Sequence, residues 1–451
     1  MPEMARRQDH DGFFTHPLAF VRAERSWTYQ DLVNVIARHV GNMAARREKA
    51  WRWENWGVVP DEDSQYALAR ELGVPHEQVR RLGWPAWLPA GDRLNVELPW
   101  TLEAALSSLD HTAGAAVLDR RAFLTLSAGT AVTVANQWLS LEPPRVDAAL
   151  RGGMIDSTLV EALEQRLPTI RQMQYALGGG SVRNLADAEL RLVTDLLSRS
   201  SYTQQIGERL FNVAAELGRV AGWSSFDAGF HASAERYFMA ALRASHAAGD
   251  RAIGANILKC MSLQLVDAQR PDEALAVATA ARDGAKQAPP RIIAMMTVRE
   301  ARAHAVLGEA MECERLLVKA EAAMSRADDV ESPGWTSYFD KAEYCAQVAA
   351  CYLLLRRHQA TDHWLSQSLN LQPAERPVDR ATYLMWRAKT VLELGDVDHA
   401  CTLVSEAVPS IAAARSARNR RRLVNLQAKL NAHHQHPAVA QLDEQVRTLI
   451  A

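Results

Sequence analysis

The sequence contains few cysteines, and none of them has the spacing of a metal site or a disulfide framework. Five cysteines occur in 451 residues, they stand singly, and no CxxC pair is present. An odd number of isolated thiols inside apolar helical stretches predicts small buried side chains in a reducing compartment, without disulfides or zinc. Residues 1–14 are polar and charged, so we expect no secretory leader and predict a cytoplasmic location. The cysteines are Cys260, Cys313, Cys345, Cys351 and Cys401.

An uninterrupted apolar run long enough to cross a bilayer is also missing. Arg120 and Arg121, followed by a mildly apolar stretch to Leu139, imitate a twin-arginine export signal, but they lie far inside the chain. Polar residues such as Ser127 interrupt the stretch, which is barely long enough to span a membrane. We therefore predict a helix near 119–139 that packs on its neighbours, with membrane contact as the alternative and no membrane partner expected.

Runs of valine and isoleucine, which are typical of strands, are scarce, whereas alanine and leucine are abundant. This composition predicts an all-α protein. A length of 451 residues accommodates one small domain and a long repeat array. The net charge of −2 excludes nucleic-acid binding over the whole surface, so any DNA contact must come from a local basic face.

Catalytic signatures are absent from the sequence. It contains no P-loop, no HExxH, no GxSxG and no dinucleotide-binding fingerprint. We therefore predict a protein that is not an enzyme and needs no cofactor. An enzyme on a repeat scaffold, such as a peptide-controlled phosphatase, is a third alternative that would need an acidic or amide cluster not located in the sequence.

One stretch near the amino terminus concentrates positive charge and tryptophan. Residues 42–60, NMAARREKAWRWENWGVVP, combine four cations with three tryptophans on a predicted short helix. A soluble helix has little reason to hold these cations together unless an anion lies opposite, and the anion that we expect is DNA phosphate. The predicted DNA-binding residues are Arg46, Arg47, Lys49 and Arg52.

A helix is predicted immediately before this stretch. Thr28 and Asp31 form a capping-box pattern, so a helix should begin at Thr28 and end near His39. Two short helices joined by a glycine-containing turn, with cations on the second, are typical of a helix-turn-helix whose second helix enters the major groove. Trp53 and Trp56 are then expected to anchor the second helix on its neighbours. The apolar stripe of the first helix comprises Leu32, Val35 and Ile36.

Several short motifs around these helices carry a family resemblance. They are His16-Pro17-Leu18, Trp27-Thr28, Arg52-Trp53-Glu54, Gly57-Val58-Val59-Pro60 and Leu72-Gly73-Val74-Pro75. With them the chain resembles Cro/C1-type (XRE-like) helix-turn-helix regulators, and more narrowly the actinobacterial regulators that join this module to tetratricopeptide repeats. The resemblance implies that the residues before the Trp-Glu-x-x-Gly turn, which are the four cations, enter the DNA groove. The turn region is longer than in phage repressors, which leaves open which cation meets a base.

The punctuation of the chain predicts four parts. Residues 1–15 form a flexible arm, whose arginines have a minor-groove contact as an alternative role. Residues 16–83 form the helix-turn-helix domain, and prolines mark 84–150 as a linker that contains the helix predicted above. Residues 151–451 form a superhelical array of tetratricopeptide-like hairpins.

The array is predicted from the recurrence of small and large residues at helical-hairpin spacings. The predicted turns recur about every 38 to 49 residues. A single hairpin cannot bury its apolar face, whereas a stack of hairpins forms one superhelix, an α-solenoid, with a concave channel. The last pair of helices is expected to cap the stack. The predicted turns lie at Gly229, Gln269, Gly308, Arg357 and Gly395.

The first helix of each hairpin should line the concave channel, where a ligand or partner would dock. Polar and aromatic positions of these helices are therefore candidate binding residues. Solvated surface and packing between repeats are the alternatives for each of them. The candidates are Arg219, Trp223, Asn256, Lys259 and Arg302.

Two clusters near the carboxyl terminus are interpreted conservatively. The arginines at 415, 418, 420, 421 and 422 are expected to form a solvated face, with contact to DNA or a dimer partner as the alternative. His433, His434 and His436 lack an acid or thiol that would complete a metal site, so no metal is predicted.

Together these patterns predict a DNA-binding transcriptional regulator that binds double-stranded DNA as a homodimer. Its repeat domain would supply the dimer interface, sense a peptide, protein or small-molecule effector, or do both. The alternative is a non-enzymatic interaction scaffold or sequestering adaptor in which the helix-turn-helix is vestigial. Exposure of the four cations and the salt dependence of DNA binding distinguish the two.

Overall fold

Helices form every regular element that the structure describes. The computed structural model describes residues 17–25, 27–41, 46–56, 58–72, 99–114, 130–144, 153–414 and 416–450, with single or paired residues between 74 and 88. Within these ranges the only pairing of β type is an isolated bridge between Met154 and Ser201. The prediction of an all-α protein is therefore confirmed for the described ranges, while the predicted arm over residues 1–15 lies outside them. No helix in these ranges combines the length and apolar character needed to cross a membrane.

The amino-terminal helices begin and end close to the predicted residues. Thr28 caps α2 with a capping box, in which its side chain accepts from the amide of Asp31 and the Asp31 carboxylate accepts from the amide of Thr28. Gly41 ends α2 with a φ of 69°, a conformation that glycine adopts without strain. The helices are α1 (Pro17–Glu24), α2 (Tyr29–Val40), α3 (Arg47–Asn55) and α4 (Glu62–Leu72).

The remaining helices follow one another with short connections. Two of them precede the hairpin array, and the others pair successively along the chain. They are α5 (Leu102–Gly114), α6 (Thr130–Ser140), α7 (Ser157–Leu177), α8 (Gly179–Arg199), α9 (Gln204–Asp227), α10 (His231–Ala247), α11 (Arg251–Asp267), α12 (Pro271–Gly284), α13 (Pro290–Leu307), α14 (Ala310–Met324), α15 (Lys341–Leu354), α16 (His358–Leu371), α17 (Pro377–Glu393), α18 (Val397–Ala413), α19 (Ala417–Leu430) and α20 (Pro437–Ile450).

Five consecutive hairpins, α9/α10 to α17/α18, turn where the sequence predicts turns. Each turn contains one residue with positive φ, which lets the chain leave the first helix and reverse direction. In the fourth hairpin this residue is Arg356, one position before the predicted turn at Arg357. The positive-φ residues are Gly229, Gln269, Gly308, Arg356 and Gly395.

The first helices of successive hairpins contact one another, and the ends of the array meet. Helix α7 packs against α9 and also against α17, about two hundred residues later in the chain. At the start of α19, the Ser416 hydroxyl donates to the Asp227 carboxylate at the end of α9 over 2.8 Å. Arg421 of the same helix donates to Asp267 at the end of α11 over 3.0 Å. These contacts enclose a space between the first helices.

Helices α5 and α6 belong to the same apolar core as the first hairpins. The sequence predicts a linker over 84–150, whereas Leu109 of α5 and Trp138 of α6 are fully buried in that core. The Trp138 ring lies against two glycines, Gly254 of α11 and Gly284 of α12. Only the missing side chains at these two positions leave room for the indole.

Replacing Gly254 with alanine is therefore expected to destabilise the hairpin array. A Cβ atom at this position would lie 2.4 Å from Trp138 Cζ2, so the ring or α11 must shift, at a cost of ~1–3 kcal/mol. Urea unfolding followed by circular dichroism measures the change. Gly153→Ala is the matched control, because an added Cβ there meets nothing within 4 Å. Equal unfolding midpoints for both variants would contradict the wedge role of Trp138.

Candidate functional site

Helix α3 is fixed on the amino-terminal bundle by one face. Trp53 is 4% exposed and packs in a core with Leu32 and Ile36 of α2. The next residue, Glu54, accepts two hydrogen bonds from the Arg22 guanidinium, over 2.8 and 2.9 Å. This bidentate, half-buried ion pair ties α3 to α1 and determines which way the rest of α3 faces.

The predicted DNA-binding cations lie on α3 or, for Arg46, immediately before it. Arg46, Arg47 and Arg52 are exposed, and Lys49 is half-buried. Arg47 lies 3.5 Å from the Glu48 carboxylate, but both side chains are largely exposed, so the pair contributes little to stability. The guanidinium groups of these arginines are therefore accessible to an external anion.

Of the two tryptophans predicted as anchors, only Trp53 has that position. Trp56 is 65% exposed, so its anchoring role was predicted wrongly. Its ring meets Trp51 edge-on with centroids 5.1 Å apart and lies 5.6 Å from the Arg52 guanidinium carbon. Trp56 follows the last residue of α3, and its ring packs against exposed side chains of the helix instead of entering the core.

A second candidate site is a channel inside the helical array. It is enclosed by the first helices of the five hairpins and, in addition, by α7 and α19. Its walls surround about 920 Å³ of space, including the part open to solvent. Polar, charged and aromatic side chains predominate in the lining. The lining residues are Gln174, Tyr175, Gly179, Arg219, Trp223, Asp227, Lys259, Cys260, Leu263, Arg299, Arg302, Tyr338, Glu343, Gln347, Val378, Asp379, Thr382, Tyr383, Trp386, Arg418 and Arg422.

Four of the five residues predicted for a concave channel line this space. They are Arg219, Trp223, Lys259 and Arg302. The fifth, Asn256, does not line it and is only 2% exposed, so its placement in the channel was predicted wrongly. Asn256 is instead buried in the packing between helices.

Positive charge exceeds negative charge along the channel. Six cations face three carboxylates, which leaves an excess of three positive charges. Burial lowers the pKa of Lys259 to about 8, of Arg422 to about 9 and of Arg302 to about 10. All three pKa values lie above 7, so these groups remain mainly protonated at neutral pH.

Several guanidinium groups in the channel lack partners for their buried donors. In Arg299, which is 7% exposed, neither Nε nor Nη1 has a hydrogen-bond partner. The Nε atoms of Arg219 and Arg302 are likewise unpaired, and these residues are 7% and 9% exposed. Burial lowers the pKa of Arg299. Burial removes water from these charged donors without giving them new hydrogen bonds, which destabilises the folded state.

The three carboxylates do not neutralise this cluster. Asp227 is engaged by the Gly179 amide at 3.1 Å and by Ser416, and Glu343 accepts hydrogen bonds from Tyr383 and from Gln347. Asp379 has its pKa raised to about 7, chiefly by burial and then by the neighbouring Glu343 charge.

Helix α19 contributes two cations that the sequence analysis placed on a solvated face. Arg418 is 7% exposed, with its guanidinium carbon 4.3 Å from the Phe226 ring centroid and its Nε 3.4 Å from Asp267. Arg422 lies 5.7 Å from the Trp386 ring centroid. The solvated-face interpretation is therefore wrong for these two residues. Arg415 lies outside the described residues.

Other chemistry-bearing residues do not assemble into a site. The five cysteines are buried and form no disulfide bonds with one another. Within the ranges that the structure describes, no three His, Cys, Asp or Glu side chains are grouped so as to hold a metal ion. His436 approaches Asp398 at 3.7 Å, while the remaining histidines of this tract lie on a short 3-10 turn or just after it.

Comparison with known proteins identifies no relative. No protein-family model, no curated protein and no solved structure matches this chain.

The raised pKa of Asp379 predicts a pH-dependent stability. The folded carboxyl has a pKa of about 7 against an unfolded value of 3.8, so the folded state binds the proton more tightly between these values. The free energy of unfolding should therefore fall as the pH rises from about 4 to 7. The groups that face Asp379 are Glu343, Arg376, Asp227, Arg418 and Tyr175.

Asp379→Asn cannot ionise and is expected to lose this slope. Relative to the wild type, the variant should gain ~1–3 kcal/mol between pH 4 and pH 8. Urea unfolding at both pH values measures the difference, with Asp195→Asn, an exposed carboxylate, as control. Parallel pH profiles for the wild type and Asp379→Asn would contradict the assignment.

Proposed function

We propose that the protein is a transcriptional regulator that binds double-stranded DNA through α3. The observation that carries this proposal is that buried residues hold α3 in place while arginines of the same segment remain exposed. Trp53 and Glu54 fix the helix on α1 and α2. Arg47 and Arg52 of α3 are exposed, and so is Arg46, the residue that precedes the helix. A helix held rigidly with free guanidinium groups suits a major groove lined by phosphates, and arginine is the best partner for guanine edges.

The arrangement of α2 and α3 supports a helix-turn-helix of the Cro/C1 type. Helix α2 is capped at Thr28, packs against α3 and α4, and ends at Gly41 before the chain enters α3. In such a module the second helix is the reading helix and the first crosses the DNA backbone. A single module of this size buries too little surface for strong specificity, so we infer a homodimer that reads two half-sites.

The hairpins α9/α10 to α17/α18 are proposed to form a tetratricopeptide-like superhelix that acts as the sensor. Successive packing of the hairpins and the left-handed turn residues support this interpretation. A ligand in the channel would contact the first helices of several hairpins at once. Its binding would change their relative positions and, through them, the spacing of the two DNA-binding modules.

An interaction scaffold is the second candidate, and one feature of the surface favours it. Trp56 and Val59 are 65% and 60% exposed, and Trp51 is 38% exposed, so apolar area adjoins the cations of α3. Exposed aromatic and aliphatic side chains beside arginine are common in protein interfaces. In this alternative the amino-terminal module docks a protein instead of DNA.

The DNA-binding proposal is tested with Arg47→Ala combined with Arg52→Ala. Removal of two phosphate-contacting cations should weaken binding to random duplex DNA and reduce the slope of log K against log salt by ~1–2. Fluorescence anisotropy at two or more salt concentrations measures both quantities. Arg199→Ala is the control, because this arginine is 79% exposed on α8, outside the amino-terminal module.

The same measurement separates the two candidates. The regulator proposal requires that the double variant loses affinity while Arg199→Ala retains it. If the wild type and the double variant bind DNA with the same salt dependence, and a partner protein co-purifies with both, the scaffold replaces the regulator.

A further inference from the structure

The cations of the channel outnumber its carboxylates six to three, and several of their guanidinium nitrogens have no hydrogen-bond partner. Arg299 and Arg302 stand three residues apart on α13 and therefore project from one face of the helix. Both are more than nine-tenths buried, and both have guanidinium nitrogens without hydrogen-bond partners. Lys259 of α11 donates to the Tyr338 hydroxyl, a neutral partner that leaves its charge uncompensated.

These groups come from separate helices and converge on one space. Arg219 belongs to α9, Lys259 to α11, Arg299 and Arg302 to α13, and Arg422 to α19. Like charges on separate elements repel one another, and burial raises the cost because water no longer screens them. An anion with several charges between the helices would relieve this repulsion.

Phosphate is the anion that fits this donor set. A guanidinium group presents planar pairs of N–H donors that match two phosphate oxygens, and Arg299 has its Nε and Nη1 free for such a contact. A single carboxylate carries one charge and two oxygen atoms, which is less than several guanidinium groups require. A chain of phosphates carries enough charge and oxygen atoms to engage several cations at once.

The aromatic lining adds a second element of recognition. The Arg302 guanidinium carbon lies 5.3 Å from the Trp386 ring centroid, and the Tyr175 and Tyr338 rings lie 5.8 Å apart with an angle of 31°. Trp223 also lines the channel, and its ring centroid lies 5.6 Å from the Arg418 guanidinium carbon. Planar rings within reach of cations suit a ligand that joins a phosphate chain to a flat heterocycle.

We propose that the channel binds a nucleotide, whose phosphates lie between Arg219, Arg299 and Arg302 and whose base packs against the aromatic wall. The proposal rests on the sensing role assigned above and gives the effector a chemical class. Arg418 and Arg422 of α19 line the same space, so the bound phosphates would join α19 to the first helices of the hairpins. The nucleotide would thereby tighten the contact between the two ends of the array.

Isothermal titration calorimetry on the full-length protein, in magnesium-free buffer, tests the proposal with three probes. These are adenosine triphosphate, inorganic tripolyphosphate and adenosine. Adenosine triphosphate is expected to bind most tightly, tripolyphosphate more weakly, and adenosine at least about tenfold more weakly than adenosine triphosphate, because charged hydrogen bonds contribute most of the affinity. Raising the salt concentration should weaken the binding of both phosphate probes.

Arg299→Gln combined with Arg302→Gln is expected to raise the Kd for adenosine triphosphate about tenfold or more. The unliganded variant should unfold at the same temperature as the wild type or higher, because it loses two poorly compensated buried charges. A purely structural role would lower that temperature instead. Arg199→Gln combined with Arg315→Gln removes two exposed arginines on α8 and α14 and serves as the matched control.

Three results would overturn the proposal. The first is that the wild type binds neither phosphate probe. The second is that the double variant binds adenosine triphosphate as tightly as the control variant does. The third is that a hexaglutamate peptide, titrated as an additional probe, binds more tightly than adenosine triphosphate. If the double variant does not fold, the comparison of the three probes on the wild type still decides. DNA binding of the wild type is measured separately, without nucleotide. If the wild type binds nucleotide but not DNA, only the regulator proposal is refuted.

Discussion

Burial of guanidinium groups with unpaired nitrogens is the constraint on which the interior of this protein depends. Arg219, Arg299 and Arg302 line one space, and each has at least one nitrogen without a hydrogen-bond partner. The contacts of Ser416 and Arg421 with Asp227 and Asp267 bring α19 to the same space, where burial weakens the screening of the charges by water. The stability of the array and its capacity to receive an anion are therefore consequences of the same geometry.

The amino-terminal module solves a related problem in the opposite way. The arginines of α3 are exposed to water, where an unpaired guanidinium group costs little free energy. The buried residues of α3 hold the helix in place. The bidentate pair between Arg22 and Glu54 determines the orientation of α3 at a point remote from the exposed arginines. The chain thus combines exposed cations at its amino-terminal module with buried cations inside the helical array.

Local patterns predicted the elements well, whereas long-range contacts escaped them. Thr28 and Asp31 marked the start of α2, and helical register placed Arg219, Lys259 and Arg302 toward the channel. Arg418 could not be placed in this way, because its burial depends on α19 reaching Asp267, about 150 residues earlier in the chain. Trp138 escaped for the same reason, since the glycines that admit its ring lie in α11 and α12.

The attachment of the chain at residue 99 limits the reach of the amino-terminal module. Arg243 of α10 donates to the Pro99 carbonyl over 2.8 Å and stacks on Trp100, which pins this point to the array. Eleven peptide links separate Pro99 from Leu88, the last described core residue of the module. A chain of this length spans at most about 40 Å. That length is close to one turn of B-DNA, about 34–36 Å. In the homodimer proposed above, the separation of the two attachment points would therefore limit the distance between the half-sites.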